Sequence, residues 1–337
     1  MMPSGRLPAD SILRAAIIGC GQIAGGYDRE TAPDAVYTHA KAYRLQSGTS
    51  LVAVADLDAG RAREFSAQWG NPVAYTDVSR MLAAESPDIV SICTPDDTHA
   101  AVLELCLDCP SLKAVWCEKP LTTDIVKAEQ IVSAYSKRGI VLAVNYQRRW
   151  QPQMLRIKNA LQRRDLGEVQ KAVVYYSKGI CHNGSHAIDL LLDWFGPPGS
   201  FQVRGSHVDF AADDPTVDAL LQFGDIPVYL IGVDERAYSL FEIQILGTLG
   251  RVNVRSSGRE VEWYRVQADA QFGDHRALCL QDNWIKTDPE RAMAHVLQDM
   301  IKAVVTGQSV LSNGESALAT LRVCCRLAAQ ATVHDRS

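Results

Sequence analysis

Ala15-Ala16-Ile17-Ile18 runs without a polar break into Gly19-Cys20-Gly21-Gln22-Ile23-Ala24. Few folds are open to an apolar strand that stops at a G-x-G-x-x-A turn. The first glycine permits the tight turn, the second lets the backbone approach a bound group, and the small sixth residue lets a helix pack on the strand. Such a turn holds a dinucleotide pyrophosphate when a helix N-terminus follows it and further β-α units flank it. The spacing alone is common at strand–helix turns, so the flanking sequence decides.

That sequence alternates. Leu51 to Ala55 is a second strand, ending at Asp56. Ala59 to Trp69 has helical spacing, Pro72 to Tyr75 is a short strand, and Asp77 to Ala84 is helical. Asp88 to Cys93 is an apolar strand ending in Thr94-Pro95 and His99. Thr98 to Cys109 is helical, and Lys113 to Cys117 is a strand that ends in Glu118-Lys119-Pro120. A helix from Thr123 to Arg138, capped at Thr122 or Thr123, and a strand from Ile140 to Val144 complete the series. Regular alternation with short turns predicts a parallel, doubly wound sheet. Asp56 can accept hydrogen bonds from adenosine ribose hydroxyls and would repel a 2′-phosphate, which favours NAD over NADP. It stands unusually far from the glycines because Gly25 to Thr38 forms a polar insertion containing Pro33. That insertion reads either as a flap over a ligand or as a surface loop, and helical spacing resumes at His39.

The 337 residues suggest two domains, each with its own core. A net charge of −5 gives no electrostatic reason to expect nucleic acid or an anionic membrane. No apolar run reaches the roughly 18 residues of a membrane span. Residues 1–12 read as a flexible tail. Among the nine cysteines, Cys20, Cys93, Cys117 and Cys181 lie in or beside apolar segments, which suggests small buried hydrophobes and a reducing, cytoplasmic setting. Cys106 and Cys109 form a C-x-x-C with no second ligand pair nearby, so no metal is expected there.

Glu118-Lys119-Pro120 carries the chemistry. At the carboxyl tip of a parallel strand a lysine can hydrogen-bond a hydroxyl and shuttle its proton, provided its pKa is brought towards neutrality. The proline fixes φ and can hold the turn that aims the lysine. Past the sixth strand, Gln147, Arg148 and Arg149 can bind an anionic substrate group, or make salt bridges within the fold. Lys178 can face such a group too. Further on, strand-like segments occur at Ala172 to Tyr176, Phe201 to Val208, Ala219 to Phe223, Val228 to Val233, Phe241 to Leu246 and Val261 to Val266. Helical patterns at Met154 to Arg163 and Arg291 to Val305 can cover such a sheet, and Gly314 to Val333 makes a final helix.

These motifs, in this order, resemble the Gfo/Idh/MocA oxidoreductases (glucose–fructose oxidoreductase, inositol dehydrogenase and relatives). The resemblance rests on Gly19 to Ala24, Asp56, Thr94-Pro95 with His99, and Glu118-Lys119-Pro120. It continues through Arg148-Arg149-Trp150 with Pro152, Gly184-Ser185-His186 leading into Ile188-Asp189-Leu190, and Phe241 to Val254. It implies a Rossmann domain over 13–145, then an α+β domain over 146–337 with a large, mostly antiparallel sheet. The last helix would pack back on the first domain. That sheet would mediate a homodimer or homotetramer. The cofactor would lie against Gly19, Gly21, Gln22, Ile23, Ala24, Asp56, Thr94, Pro95, His99, Glu118, Lys119 and Asn145.

The resemblance also implies that Lys119 and His186 meet at the nicotinamide and exchange the hydroxyl proton of a sugar, cyclitol or sugar nucleotide while hydride moves. Where the family's D-x-G-x-H motif has aspartate, this chain has His182. A neutral histidine accepts a hydrogen bond but brings no negative charge. The two histidines can instead divide the roles, one relaying protons and the other holding substrate. Asp189 can bind substrate or cap a helix. His182, His186 and Asp189 are not expected to hold a metal, because the family needs none and Gly184 reads as a helix interruption. Two alternatives stand: a nucleotide-sugar C3 oxidoreductase in polysaccharide or glycoside synthesis, and a catalytically silent NAD-binding sensor.

Overall fold

The computed structural model describes residues 12–28, 31–286 and 289–334. The expected tail thus lies almost wholly outside the described residues. The chain divides into two compact units: 1–150 with 290–318, and 151–289 with 319–337.

In the first unit, β1 (Leu13–Ile18), α1 (His39–Leu45), β2 (Thr49–Ala55), α2 (Ala59–Gln68), β3 (Val73–Tyr75) and α3 (Val78–Glu85) make one half. β4 (Ile89–Ile92), α4 (His99–Cys106), β5 (Ala114–Cys117), α5 (Ile125–Arg138) and β6 (Val141–Val144) make the other. The six strands are parallel in the order β3-β2-β1-β4-β5-β6, so the order reverses between β1 and β4. In such sheets ligands bind outside the carboxyl ends of the strands at that reversal. β4 and β5 are buried along their whole length, which is why they read as unbroken apolar runs. The cap of α5 is Asp124, whose carboxylate accepts from the Val126 and Lys127 amides; Thr122 bonds to Asp124 instead of capping.

The second unit contains α6 (Pro152–Gln162), β7 (Val169–Tyr176), α7 (Ser185–Phe195), β8 (Ser200–Ala211), β9 (Asp214–Phe223) and β10 (Ile226–Gly232). It continues with β11 (Phe241–Gly247), β12 (Gly250–Arg255), β13 (Glu260–Ala268) and β14 (Arg276–Lys286). They form one sheet in the order β14-β13-β12-β11-β7-β10-β9-β8, antiparallel except between β7 and β10. β14 was not expected; it is an edge strand whose Leu278 and Leu280 stay exposed, so in the part whose side chains are described, residues 276–281, no buried face marks it.

The last two helices depart from the places the sequence suggested, the first of them wholly and the second in all but its first turn, which lies against Leu142 and Val132 of the first unit. α8 (Ala292–Thr306) packs Met293, Val296, Leu297 and Met300 into the core of the parallel sheet and so belongs to the first unit. α9 (Gly314–His334) contributes Val323, Cys324, Leu327 and Ala331 to the core under the antiparallel sheet. The boundary falls inside α9, between Leu318 and Ala319. Both helices have an apolar stripe, and amphipathic spacing does not say which sheet a stripe will meet. Among the described residues no helix is long and apolar enough to cross a membrane.

Candidate active site

Strand register builds the first half of the site. Ile18 pairs with both Ala55 and Ile92, Ile92 with Cys117, and Cys117 with Val144. The residues just beyond these pairs are Gly19, Asp56, Glu118 and Asn145, with Thr94 one further on from Cys93. One sheet edge therefore collects most of the expected cofactor residues. Gly19 has φ +88°, and a Cβ there would lie 2.7 Å from the Cys93 carbonyl. At Gly21 a Cβ would meet nothing within 4 Å, so the turn leaves open space where the backbone must approach a ligand. Ala24 is fully buried against the sheet. The Asp56 carboxylate accepts from the Cys20 amide at 2.9 Å and the Asp58 amide at 2.9 Å, and Arg61 lies 3.4 Å away.

The insertion is spliced into a helix rather than appended to a loop. The His39 amide donates to the Ile23 carbonyl at 3.3 Å and the Ala40 amide to the Ala24 carbonyl at 2.9 Å. α1 thus resumes the turn that Gln22–Ala24 began, and the residues between are looped out. Buried Asp28 anchors them by accepting from the Thr31 hydroxyl, the Tyr37 amide and the Thr38 hydroxyl, with Lys41 at 3.7 Å. Residues 29 and 30 lie outside the described set.

Three expected ligand contacts are committed inside the protein. His99 is fully buried, one ring nitrogen 2.7 Å from the Pro120 carbonyl and the other 3.0 Å from the Thr94 carbonyl. It ties the tips of β4 and β5 together and presents neither nitrogen outward. Arg149 is buried with its guanidinium donating to the Leu311 carbonyl, which accords with the structural alternative rather than substrate binding. Asn145 is buried between Trp116 and Glu118: its oxygen accepts from the indole at 3.2 Å and its amide donates to the carboxylate at 2.6 Å. Arg148, beside Gln147 in a short 3-10 turn, is pushed down to about 10 by burial. Lys119 is half-buried, and its bond to Pro120 is cis.

In the second unit, Gly179–Gly184 forms a π-helical turn that runs straight into α7 and carries His182 and His186 one turn apart. Gly184 does not interrupt the helix. Its φ is −58°, and it is glycine because a Cβ would come within 2.7 Å of the Tyr176 ring. Two buried carboxylates hold the turn. Asp214 accepts from the Cys181 and His182 amides, each at 2.8 Å. Asp209 accepts from the Lys178 amide at 2.9 Å and the Thr216 hydroxyl at 2.8 Å. Lys178 has φ +70°, a left-handed conformation that costs a non-glycine residue energy and is sustained by these bonds. The His182 ring packs on Phe210 at 4.6 Å, and the Lys178 ammonium lies 5.0 Å from the same ring. His186 is buried and so is Asp189, which accepts from the Thr320 hydroxyl at 3.3 Å. Asp189 lies inside α7 and does not cap that helix, whose N-cap position is Gly184.

Sequence reasoning passed over His39, Arg61, Phe210 and the two supporting aspartates. His39 was hidden because the insertion separates it from the glycine turn to which it belongs. Asp209 and Asp214 flank a hairpin turn, where aspartate is ordinary.

Residues 13–146 match the family model described as an oxidoreductase family with an NAD-binding Rossmann fold. Over 305 residues the chain is 32% identical to inositol 2-dehydrogenase of Rhizobium meliloti (strain 1021), covering 84% of this chain and 89% of that protein. It is 31% identical to D-glucoside 3-dehydrogenase of Escherichia coli (strain K12), over 47% of this chain and 42% of that one. The solved structure of UDP-N-acetylglucosamine 3-dehydrogenase from Acidithiobacillus ferrooxidans superposes with a TM-score of 0.74 at 22% identity, covering 94% of this chain and 97% of that one, and so shares the fold. The glycine turn, the aligned strand tips and a relative matched along most of its length lead to one conclusion: the chain belongs to the Gfo/Idh/MocA family of NAD-binding oxidoreductases, and it is a dehydrogenase or reductase acting on CH–OH groups.

Proposed function

We propose that this enzyme uses NAD(H) to move hydride between the nicotinamide and a secondary alcohol or ketone carbon of a sugar, cyclitol or sugar nucleotide. The observation that carries this reading is the common edge formed by Gly19, Asp56, Glu118 and Asn145, with open space at Gly21. These residues fit a dinucleotide: Gly21, Gln22 and Ile23 would face its pyrophosphate and Asp56 its ribose hydroxyls. Bound NAD would supply the hydride acceptor. Lys119 would hold the substrate hydroxyl and take its proton at Nζ, and His186 would serve as the second proton carrier. Phe210, half-exposed beside an imidazole and an ammonium, suits the apolar face of a ring that also carries negative charge. It favours a nucleotide-linked or acidic sugar over a neutral polyol.

The test is reduction of NAD, followed by absorbance, over a panel of polyols, free sugars, sugar acids and sugar nucleotides. Turnover confined to simple alcohols would overturn the substrate class. Tight NAD binding with no turnover on any member would favour the sensor, the reading that the histidine at position 182 motivates.

The preference for NAD is testable separately. Replacing Asp56 with serine removes the negative charge that opposes a 2′-phosphate and frees Arg61 to pair with one. The ratio of kcat/KM for NADP over NAD should rise by about fivefold, the scale of one solvent-screened charge pair worth about 1 kcal/mol. An unchanged ratio would show that Asp56 does not read the ribose.

A homodimer or homotetramer through the antiparallel sheet belongs to the same proposal. On β10, Tyr229 and Ile231 are exposed while Val228 and Leu230 are buried, so one face is covered and the other is open to a second copy. Light scattering should give twice or four times the chain mass; a monomer at micromolar concentration would refute this. The nine free thiols suit the reducing, cytoplasmic setting proposed for it.

A further inference from the structure

Glu118 does not stand alone behind Lys119. Its carboxylate accepts from the Asn145 amide at 2.6 Å and faces the Nε2 of His39 at 2.9 Å. The Nδ1 of His39 lies 2.9 Å from the Ser91 hydroxyl, and that hydroxyl lies 2.7 Å from the Tyr43 hydroxyl. His39, Ser91 and Tyr43 are all essentially inaccessible to solvent. The His39 ring also packs on Trp116, 3.9 Å between centroids. One direction of donation satisfies every group: Tyr43 to Ser91, Ser91 to Nδ1, and Nε2–H to Glu118.

From this chain we propose that His39 is a positioning residue for the catalytic lysine, acting through Glu118. It holds one carboxylate oxygen at a fixed point and keeps that group ionised next to Lys119, so that the lysine's protonation is set by a charge that cannot move. The proposal deepens the hydride-transfer reading above and, for its kinetic part, rests on it.

Four observations favour positioning over proton conduction or mere packing. The chain ends at Tyr43, which is buried and whose phenol burial pushes well up, so a proton entering there has no exit. Burial pushes the Glu118 carboxyl up, yet the hydrogen bonds from the His39 ring and the Asn145 amide, with the charge of Lys119 adding to them, hold it below the ordinary carboxylate range. The other titratable groups packed here, the thiols of Cys93 and Cys117, are pushed well above their ordinary value, chiefly by burial, and stay neutral. Finally, the backbone splice to Ile23 and Ala24 restores His39 to helical register with the glycine turn despite the insertion. The imidazole therefore reaches β5 from a helix that the sheet itself fixes.

The test combines His39→Leu, His39→Gln, Glu118→Gln and the double variant His39→Leu/Glu118→Gln. Lys119 is reductively methylated with carbon-13, and its titration is followed by NMR in the NAD complex without substrate. His39→Leu should lower the lysine's midpoint by at least half a pH unit, and Glu118→Gln should lower it by a similar amount. His39→Gln, which retains a donor, should restore most of the wild-type value. The double variant should match Glu118→Gln alone, because His39 has no other route to the lysine. In turnover, His39→Leu should lower kcat by about tenfold to a hundredfold with KM and NAD affinity within about threefold. Additive shifts in the double variant, or a lysine titration unmoved by His39→Leu, would overturn the proposal. Absence of wild-type turnover on every substrate would overturn the reading of function, while the titration would still decide the role of His39.

Discussion

Replacing Lys119 with alanine should lower kcat by about a thousandfold, within the range for loss of a positioned general acid–base group. NAD affinity should change by less than about threefold, because the groups proposed to hold the dinucleotide are Gly21 with its neighbours and Asp56, whose geometry is fixed by the Cys20 and Asp58 amides. The proposed proton transfer needs a group that gives and takes a proton near neutral pH. An arginine at the same place keeps the charge and cannot be deprotonated, so Lys119→Arg should be nearly as inactive as alanine. The pair of variants separates two roles for the lysine. Recovery of activity with arginine would mean that a fixed positive charge suffices, and full activity with alanine would remove Lys119 from the reaction. Calorimetric titration of NAD and steady-state kinetics on the best member of the substrate panel read the two quantities independently.

The first unit was legible because its physics is local. β4 and β5 are buried on both faces, so Ile89–Ile92 and Ala114–Cys117 show as apolar runs, and the turns at their carboxyl ends carry Thr94 and Glu118 directly. What the sequence did not reveal is where side chains turn after they leave a strand. His99 and Arg149 sit in expected motifs yet spend their nitrogens on the carbonyls of Thr94, Pro120 and Leu311. A motif specifies residue type at a position, and a carbonyl that tertiary structure brings within reach is invisible to it. The same limit hid the converse case. His39 looks like an ordinary helix-start residue, and only the bonds of its amide to Ile23 and its ring to Glu118 give it a part in the site. Helix partition failed for a related reason: the apolar stripes of α8 and α9 are interchangeable on paper, and the sheet that receives each is set by the whole topology.

Asp214→Ala should be the most damaging change in the second unit. The carboxylate holds the Cys181 and His182 amides with separate oxygens, and alanine would leave both part-buried N–H groups without that acceptor. At about 1–3 kcal/mol for each, the unit should lose about 2–6 kcal/mol. The loss should concentrate in the π-turn and the start of α7, read as faster amide exchange over residues 179–190, with kcat falling if His182 and His186, which the turn carries, have the roles proposed for them. Asparagine separates acceptor from charge. It retains one oxygen for one amide but turns an NH2 towards the other, so it should cost about half as much as alanine. The pH dependence sharpens the distinction. Burial outweighs the hydrogen bonds and pushes the Asp214 carboxyl up. A carboxyl whose folded pKa exceeds its unfolded one binds more protons when folded, so its contribution to stability is greatest at low pH and declines as pH rises through the folded value. Asparagine does not titrate. The deficit of Asp214→Asn relative to the native chain should therefore shrink over the interval in which pH rises from the ordinary aspartate value of about 4 through the raised folded one. A deficit that grows over that interval would mean that the ionised carboxylate is favoured in the fold, and that its charge as well as its oxygens holds the histidine turn.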